Sequence, residues 1–153
     1  MKLSTSFILS IVLFATFMSC SKEHVPSDIG GRWNAELYEI VDCIDTSENL
    51  FVNTTIDPCY NIGADIVCIE SFYYEFDTTT NNTYKSELIR TVNGATESIT
   101  DQGNYTIENL NRLVLCNPAC DSLFVVRTGN RLEIVNQDTL SGCNSLFRGI
   151  RMN

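Results

Sequence analysis

The sequence is poor in the residues that nucleic-acid binding and docking on charged membranes require. Its 153 residues contain only 10 lysines and arginines against 19 acidic residues. Nucleic-acid affinity comes mostly from clustered Lys and Arg, so the sequence predicts that no nucleic acid is a partner. The same charge balance argues against electrostatic docking on an anionic membrane face.

Catalytic and metal-binding patterns are also missing. The single histidine, His24, lies in a short polar segment near the N-terminus and cannot orient a catalytic triad. The sequence contains no Gly-rich phosphate loop, no G-x-S-x-G and no C-x-x-C. We therefore predict a protein that is not an enzyme, with no cofactor and no metal site.

Helical periodicity is absent, and alternation takes its place. No segment puts apolar residues at i, i+3, i+4 and i+7 over three turns. Trp33, Ala35 and Leu37 alternate with polar residues, and Phe72 to Phe76 repeats the pattern. About eight to nine short strands follow one another, and antiparallel strands must remove their edges. The sequence predicts an all-β fold: an antiparallel up-and-down barrel, closed or half-open.

The N-terminus carries an export pattern. Lys2 is followed by an apolar run whose dense part, residues 7–18, is shorter than the roughly 20 residues that span a bilayer. The run ends in Phe17-Met18-Ser19-Cys20, which resembles the bacterial lipobox. The resemblance implies a signal peptide over residues 1–19, an acylated Cys20 and a tether over residues 20–28. Several acyl chains suffice for stable anchoring; an ordinary secretory peptide is the alternative.

The residues after Cys20 bear on the membrane. Ser21 stands where an Asp would resemble the inner-membrane retention signal of enterobacterial lipoproteins. Ser21-Lys22-Glu23 looks like the start of a surface-export signal, although His24 interrupts it. We predict an outer-membrane location through the lipid anchor, on either the periplasmic or the surface face.

The other six cysteines predict disulfides. An exported chain meets an oxidising compartment, and an even number of cysteines fits structural bridges. Six cysteines allow 15 pairings. Cys116 and Cys120 flank a plausible tight turn and are the first predicted pair; Cys59 with Cys68 is a weaker prediction, and Cys43 with Cys143 follows by elimination.

A family resemblance covers almost all of the remaining chain. Gly31-Arg32-Trp33 is similar to the G-x-W signature of lipocalins and of small lipocalin-like bacterial lipoproteins, and the later strands follow a similar pattern. The resemblance implies one lipocalin-like barrel over residues 29–153. It also implies that an arginine of the last strand, Arg148 or Arg151, packs on Trp33.

Residues 41–66 form the longest stretch without clear alternation. Their apolar cluster Leu50-Phe51-Val52 follows the Trp33 strand, where the first long loop of a lipocalin-like barrel folds over the mouth. We predict that these three residues pack across the mouth and line or close a pocket. The alternative is that they fill a groove on the core and bind nothing.

Two functions remain open. The first is a lipid-anchored barrel that binds a small apolar ligand, and the second is a structural or interaction module with a filled core and unknown protein partners. An eight-stranded barrel has room only for its own side chains or one small ligand. An apolar cavity of about 300 Å³ or more favours the first function, and an interior plugged by aromatic residues favours the second.

The anchor prediction can be tested at its acceptor. Cys20→Ser removes the only thiol that the lipobox offers, so we expect the variant to lose all labelled fatty acid and to remain uncleaved or become soluble. Metabolic labelling with wild type as control measures this directly. Incorporation of label by the serine variant would contradict the lipobox assignment.

Overall fold

The computed structural model describes residues 28–46, 49–79, 81–109, 111–137 and 142–152. The predicted signal peptide, Cys20 and the tether as far as residue 27 lie outside them. Within the described residues there is no helix long and apolar enough to cross a membrane. They form ten strands: β1 (Gly31–Val41), β2 (Leu50–Asn53), β3 (Cys59–Ile62), β4 (Asp65–Asp77), β5 (Thr83–Val92), β6 (Ala95–Glu108), β7 (Arg112–Asn117), β8 (Ala119–Thr128), β9 (Arg131–Gln137) and β10 (Asn144–Arg151).

These strands build a closed barrel. Their order in the sheet is β2-β1-β10-β9-β8-β7-β6-β5-β4-β3, all pairings are antiparallel, and an additional pairing joins β1 to β4. Eight strands, β1 and β4 to β10, therefore close on themselves, which removes their exposed edges. The predicted all-β up-and-down barrel is confirmed, and the architecture is consistent with a lipocalin-like barrel.

The barrel closes over only part of the length of β1 and β4. Gly31–Asn34 pair with Tyr73–Phe76, and beyond this ladder each strand has a register shift, after Ala35 in β1 and after Ile69 in β4. A bulge bends the strand that carries it. The two strands part, β1 continuing beside β2 and β4 beside β3. We call this open end the mouth and the end that contains Gly31 the base.

The bulge in β1 changes which side chains face inward. Ala35 and Leu37 pair with consecutive residues of β10, so one residue of β1 between them is extra. Leu37 consequently lies on the opposite face from Trp33 and Ala35, and the simple alternation that the sequence predicted is wrong at this point. Tyr38 takes the inward position instead, with its ring centroid 5.4 Å from that of Phe72.

Large apolar side chains fill the base. Trp33, Phe76, Leu113, Val125 and Leu132 are each exposed by no more than 2% and belong to one cluster. They come from five different strands, because alternate residues of every barrel strand point inward. Burial of this apolar surface is the main favourable term in folding, and it leaves the base closed.

Strand β6, with 14 residues, is the longest of the ten, and Ala95–Glu108 is continuous. It pairs with β5 over residues 95–104 and with β7 over residues 104–108. At the junction a Cβ on Gly103 would collide with the backbone oxygen of Cys116, so only glycine lets these two strands approach so closely.

The three disulfides pair as the sequence predicted. Cys116–Cys120 joins β7 to β8 across their turn, and Cys59–Cys68 joins opposite residues of β3 and β4. Cys43–Cys143 links the loop after β1 to the segment before β10. Cys116–Cys120 and Cys59–Cys68 each link the two strands of a hairpin, whereas Cys43–Cys143 links two segments that are distant in sequence. Three disulfides indicate a protein that is exported from the cytoplasm.

Removal of each bridge should destabilise the barrel in an order set by loop length. The bridges enclose sequence separations of 100, 9 and 4 residues for Cys43–Cys143, Cys59–Cys68 and Cys116–Cys120. Chain entropy gives about 4.7 kcal/mol for a 100-residue loop and less than about 3 kcal/mol below 15 residues. We expect the paired Cys→Ala variants to lose stability in that order in urea unfolding.

Intact mass provides the control for this series. The exported wild-type protein should be six hydrogens lighter than its reduced form, and each double variant four hydrogens lighter. Equal destabilisation by all three double variants, or six alkylatable thiols in the exported wild type, would contradict the disulfide framework.

Candidate functional site

Trp33 seals the base of the barrel. Its indole Nε1–H donates a hydrogen bond to the Ile29 carbonyl oxygen at 2.7 Å, and the indole ring is fully buried. The guanidinium carbons of Arg151 and Arg127 lie 5.5 and 5.7 Å from the ring centroid. Both distances fall within the range of cation–π attraction, and Arg127 also donates to the Asp28 carbonyl oxygen.

The residues of the G-x-W resemblance meet at this base, with one exception. Gly31 has φ 110°, and a Cβ there would lie 3.2 Å from the Arg151 Nε. Glycine is therefore needed both for the backbone conformation and for the approach of Arg151. Arg148 lies elsewhere, because its Nε donates to Glu133 Oε1 at 2.7 Å. Of the two arginines that the sequence offered, only Arg151 reaches the tryptophan.

A layer of aromatic rings lies above the base. The Phe72 ring centroid is 5.4 Å from Tyr38, 5.6 Å from Tyr74 and 5.1 Å from Phe147. Tyr74 and Phe147 meet edge to face at 4.9 Å. Such perpendicular arrangements place the positive edge of one ring on the negative face of another, and they hold the four rings as one floor.

A partly enclosed cavity of about 250 Å³ lies on this aromatic floor, on the mouth side. The strands that line it supply both apolar and polar side chains. Its lining comprises Tyr38, Phe72, Tyr74, Asp101, Leu115, Asp121, Leu123, Ile134, Asn136, Ser145 and Phe147. The barrel is thus plugged at the base and hollow below the mouth.

Asp101 is fixed at the wall of this cavity by two hydrogen bonds. The Tyr84 hydroxyl donates to Oδ2 and the Asn117 amide donates to Oδ1, each at 2.6 Å. Partial burial by itself would raise the pKa of Asp101, but these bonds and one from the Gln102 backbone outweigh it and lower the pKa below its ordinary value. Asp101 is therefore ionised at neutral pH.

The tyrosines around the cavity stay neutral. Burial raises the pKa of Tyr74, and the nearby Tyr38 and Asp101 raise it further. Burial also raises the pKa of Tyr38, with a smaller contribution from Tyr60. Among the described residues, the lining contains a second acidic residue, Asp121, and no lysine, arginine or histidine. The cavity is consequently negative.

The apolar cluster of residues 50–52 is divided between two environments. Val52 is fully buried, whereas Phe51 pairs with Glu39 and is 64% exposed. The reason is that successive residues of a strand point to opposite faces, and Leu50–Asn53 form the strand β2. The prediction that all three residues pack across the mouth is wrong for Phe51, and none of the three lines the cavity.

A larger concavity lies on the outside of the barrel and is a weaker candidate. It measures about 540 Å³ and is more open to solvent. Outward-facing polar side chains of β4, β5 and β6 border it, including Glu75, Lys85 and Gln102. Binding sites usually bury most of their ligand's surface, so the interior cavity is the better candidate.

Several residues of the interior cavity escaped the sequence analysis. Asp101, Asp121, Asn136 and Ser145 are polar residues that no sequence motif singles out. The available signal was their register: each lies in line with inward-facing apolar residues of its own strand. Tyr38 could not be found by alternation, because the bulge after Ala35 shifts its face.

Among the described ranges of the chain, no group of three or more His, Cys, Asp or Glu is placed to hold a metal ion. Comparisons with protein-family models, with curated proteins and with solved structures gave no match.

The hydrogen bond from Tyr84 should control the titration of Asp101. We expect Tyr84→Phe to raise the pKa of Asp101 toward its ordinary value, because a donor to the ionised carboxylate is lost. In wild type this bond stabilises the fold above the ordinary pKa of a carboxyl group, and its contribution is lost as pH falls through the Asp101 pKa. A carboxyl-carbon NMR titration measures the change.

Tyr73→Phe is the matched control. The Tyr73 hydroxyl donates to Glu87 Oε2 at 2.6 Å, and this bond is the largest of the effects that lower the pKa of Glu87. The control should therefore raise the pKa of Glu87 and leave that of Asp101 unchanged. An Asp101 titration that does not move in Tyr84→Phe would refute the described geometry.

Proposed function

We propose that this chain is an exported, lipid-anchored binding protein that holds one small molecule in the mouth cavity of its barrel. The observation that carries the proposal is the cavity of about 250 Å³ between the aromatic floor and the mouth. Trp33 and the core side chains already fill the base of the barrel. The fold therefore does not need further side chains to fill the mouth. A hollow kept above a filled core is typical of a ligand site.

The lining argues for a small amphipathic ligand. The volume lies below the value of about 300 Å³ set above for an apolar ligand and below the range of most ligand sites, and several lining residues are polar. The criterion for an apolar ligand is therefore not met, and a fatty acid or another long lipid does not fit within the cavity. Phe72, Phe147 and Leu115 offer apolar surface, while Asn136 and Ser145 offer hydrogen bonds. A ligand of about the size of one substituted ring, with one polar end, would match both the apolar and the polar side chains of the lining.

The anchor supports an orientation for this site. The lipobox resemblance puts acyl chains on Cys20, and Ile29 lies at the base against Trp33. The nine residue steps from Cys20 to Ile29 span at most about 32 Å. A barrel attached in this way at an outer membrane is joined to its tether at the base, so the attachment point does not block the mouth. The proposed function is binding without catalysis.

One observation favours a second candidate function, a protein-interaction module. Five large apolar side chains between residues 44 and 66 are more than half exposed: Ile44, Phe51, Ile56, Ile62 and Ile66. Exposed apolar residues that gather on one segment often mark a contact surface. This segment contains β2 and β3, which lie beside the parting of β1 and β4.

The binding proposal can be tested with an uncharged probe. We expect 2-phenylethanol to shift the amide NMR signals of the lining residues in a saturable manner. Ser145→Phe should abolish this response, because it puts a ring into the cavity. Ser98→Phe makes the same replacement on exposed β6 and should bind the probe as wild type does.

Phe51→Ala separates the two candidate functions. Phe51 is 64% exposed and does not line the cavity, so its truncation should leave probe binding unchanged and cost less than about 1 kcal/mol of stability. Absence of any saturable shift in wild type from this probe and from its positively and negatively charged analogues, or equal binding by Ser145→Phe and wild type, would overturn the binding function and leave the interaction module.

A further inference from the structure

We infer that the mouth cavity selects a small organic cation, namely a protonated primary amine that carries a flat apolar group. This inference rests on the proposed function and names its ligand class. It follows from a cavity whose described lining combines two carboxylates with four aromatic rings and includes no basic side chain. Each of these features has its own evidence.

The first feature is fixed negative charge. Asp101 is held in place by Tyr84 and Asn117 at 2.6 Å each and stays ionised. Both of these donors are neutral, so they orient the carboxylate without cancelling its charge. Asp121 from the neighbouring part of the wall adds a second acidic group. Asp101 and Asp121 are both exposed to solvent at the cavity wall, and no cationic side chain among the described lining residues neutralises them.

The second feature is the aromatic floor. Tyr38, Phe72, Tyr74 and Phe147 border the cavity and pack against one another at near-right angles or tilted. Perpendicular rings expose faces in more than one direction, and the face of an aromatic ring carries the negative part of its quadrupole. Ammonium groups are attracted to such faces within about 6 Å of the ring centroid.

Other ligand classes fit the same walls less well. Anions would be repelled by both carboxylates. A neutral apolar molecule would displace water from Asp101 and Asp121 without replacing its hydrogen bonds. A hard metal ion would need six or more oxygen ligands, and the described residues bring no three His, Cys, Asp or Glu side chains together to hold one. An amine satisfies the carboxylates through its three N–H donors.

The size and the overall charge of the protein agree with this ligand class. A cavity of about 250 Å³ accommodates a single ring with a short amine chain rather than a polyamine or a peptide. The whole chain carries a formal net charge of −9 at pH 7. A field of this sign raises the local concentration of cations and their rate of association.

Three probes of similar shape and different charge test the inference: phenethylamine, 2-phenylethanol and 3-phenylpropanoate. The full exported protein is titrated with each, and dissociation constants are obtained from the amide shifts of lining residues. We expect phenethylamine to bind at least about tenfold more tightly than the neutral alcohol, from charge pairing and cation–π attraction. The propanoate should bind more weakly than both.

Charge-neutralising variants locate the selectivity. Asp121→Asn and Asp101→Asn should each weaken the affinity for phenethylamine by about threefold to tenfold. The affinity for the alcohol should stay nearly unchanged, since these replacements remove charge while keeping shape. Asp57→Asn, in the turn between β2 and β3 and outside the cavity, carries the same charge change and should have no effect. Wild-type-like amide spectra of all three variants verify their folds.

The outcomes separate this inference from the proposed function. Equal affinity for amine and alcohol, or an amine affinity that neither cavity variant changes, would overturn the cation selectivity while binding itself stands. Saturable shifts from none of the three probes would overturn both. Tenfold preference for the amine that weakens with added salt and disappears in the double variant D101N/D121N would support the inference.

Discussion

One short ladder makes this protein a barrel. Gly31–Asn34 of β1 pair with Tyr73–Phe76 of β4, and among the described residues this is the strand pairing that closes the sheet into a barrel. Trp33 and Tyr74 are opposite each other within it. The ladder therefore positions the indole ring at the base and the aromatic floor above it, and both the filled core and the hollow mouth depend on it.

The two register shifts that end this ladder shape the mouth. They let β1 and β4 part, and the separated strands pair with β2 and β3 instead of with each other. The shift after Ala35 also turns Tyr38 inward. All three disulfides hold segments at this end: Cys43–Cys143, Cys59–Cys68 and, beside the turn between β7 and β8, Cys116–Cys120. The register shift that opens the barrel thus also brings the Tyr38 ring to the cavity wall. Cys43–Cys143 and Cys59–Cys68 link the strand ends that this opening separates from the barrel ladder.

The sequence predicted features that follow from local pattern. Alternation gave the all-β class, and the turn between Cys116 and Cys120 gave the first disulfide. It missed features that depend on how strands align across the barrel. Asp101 can be assigned to the cavity wall only once the strand register places it in line with Tyr105. Phe51 is assigned to the outer face only once the pairing of β2 with β1 is known. A bulge adds one residue and so exchanges the inward-facing and outward-facing positions of the strand beyond it. The sequence of β1 contains no pattern that predicts this bulge.

Cross-strand nuclear Overhauser effects between β1 and β4 test the account most directly. The structure requires short backbone proton contacts that connect Trp33 with Tyr74 and Gly31 with Phe76. We predict that these contacts are present and stop at the register shifts, with contacts from Tyr38 to Val52 beyond them. Absence of every contact between Gly31–Asn34 and Tyr73–Phe76, in a protein whose other ladders are intact, would show an open sheet and remove the cavity.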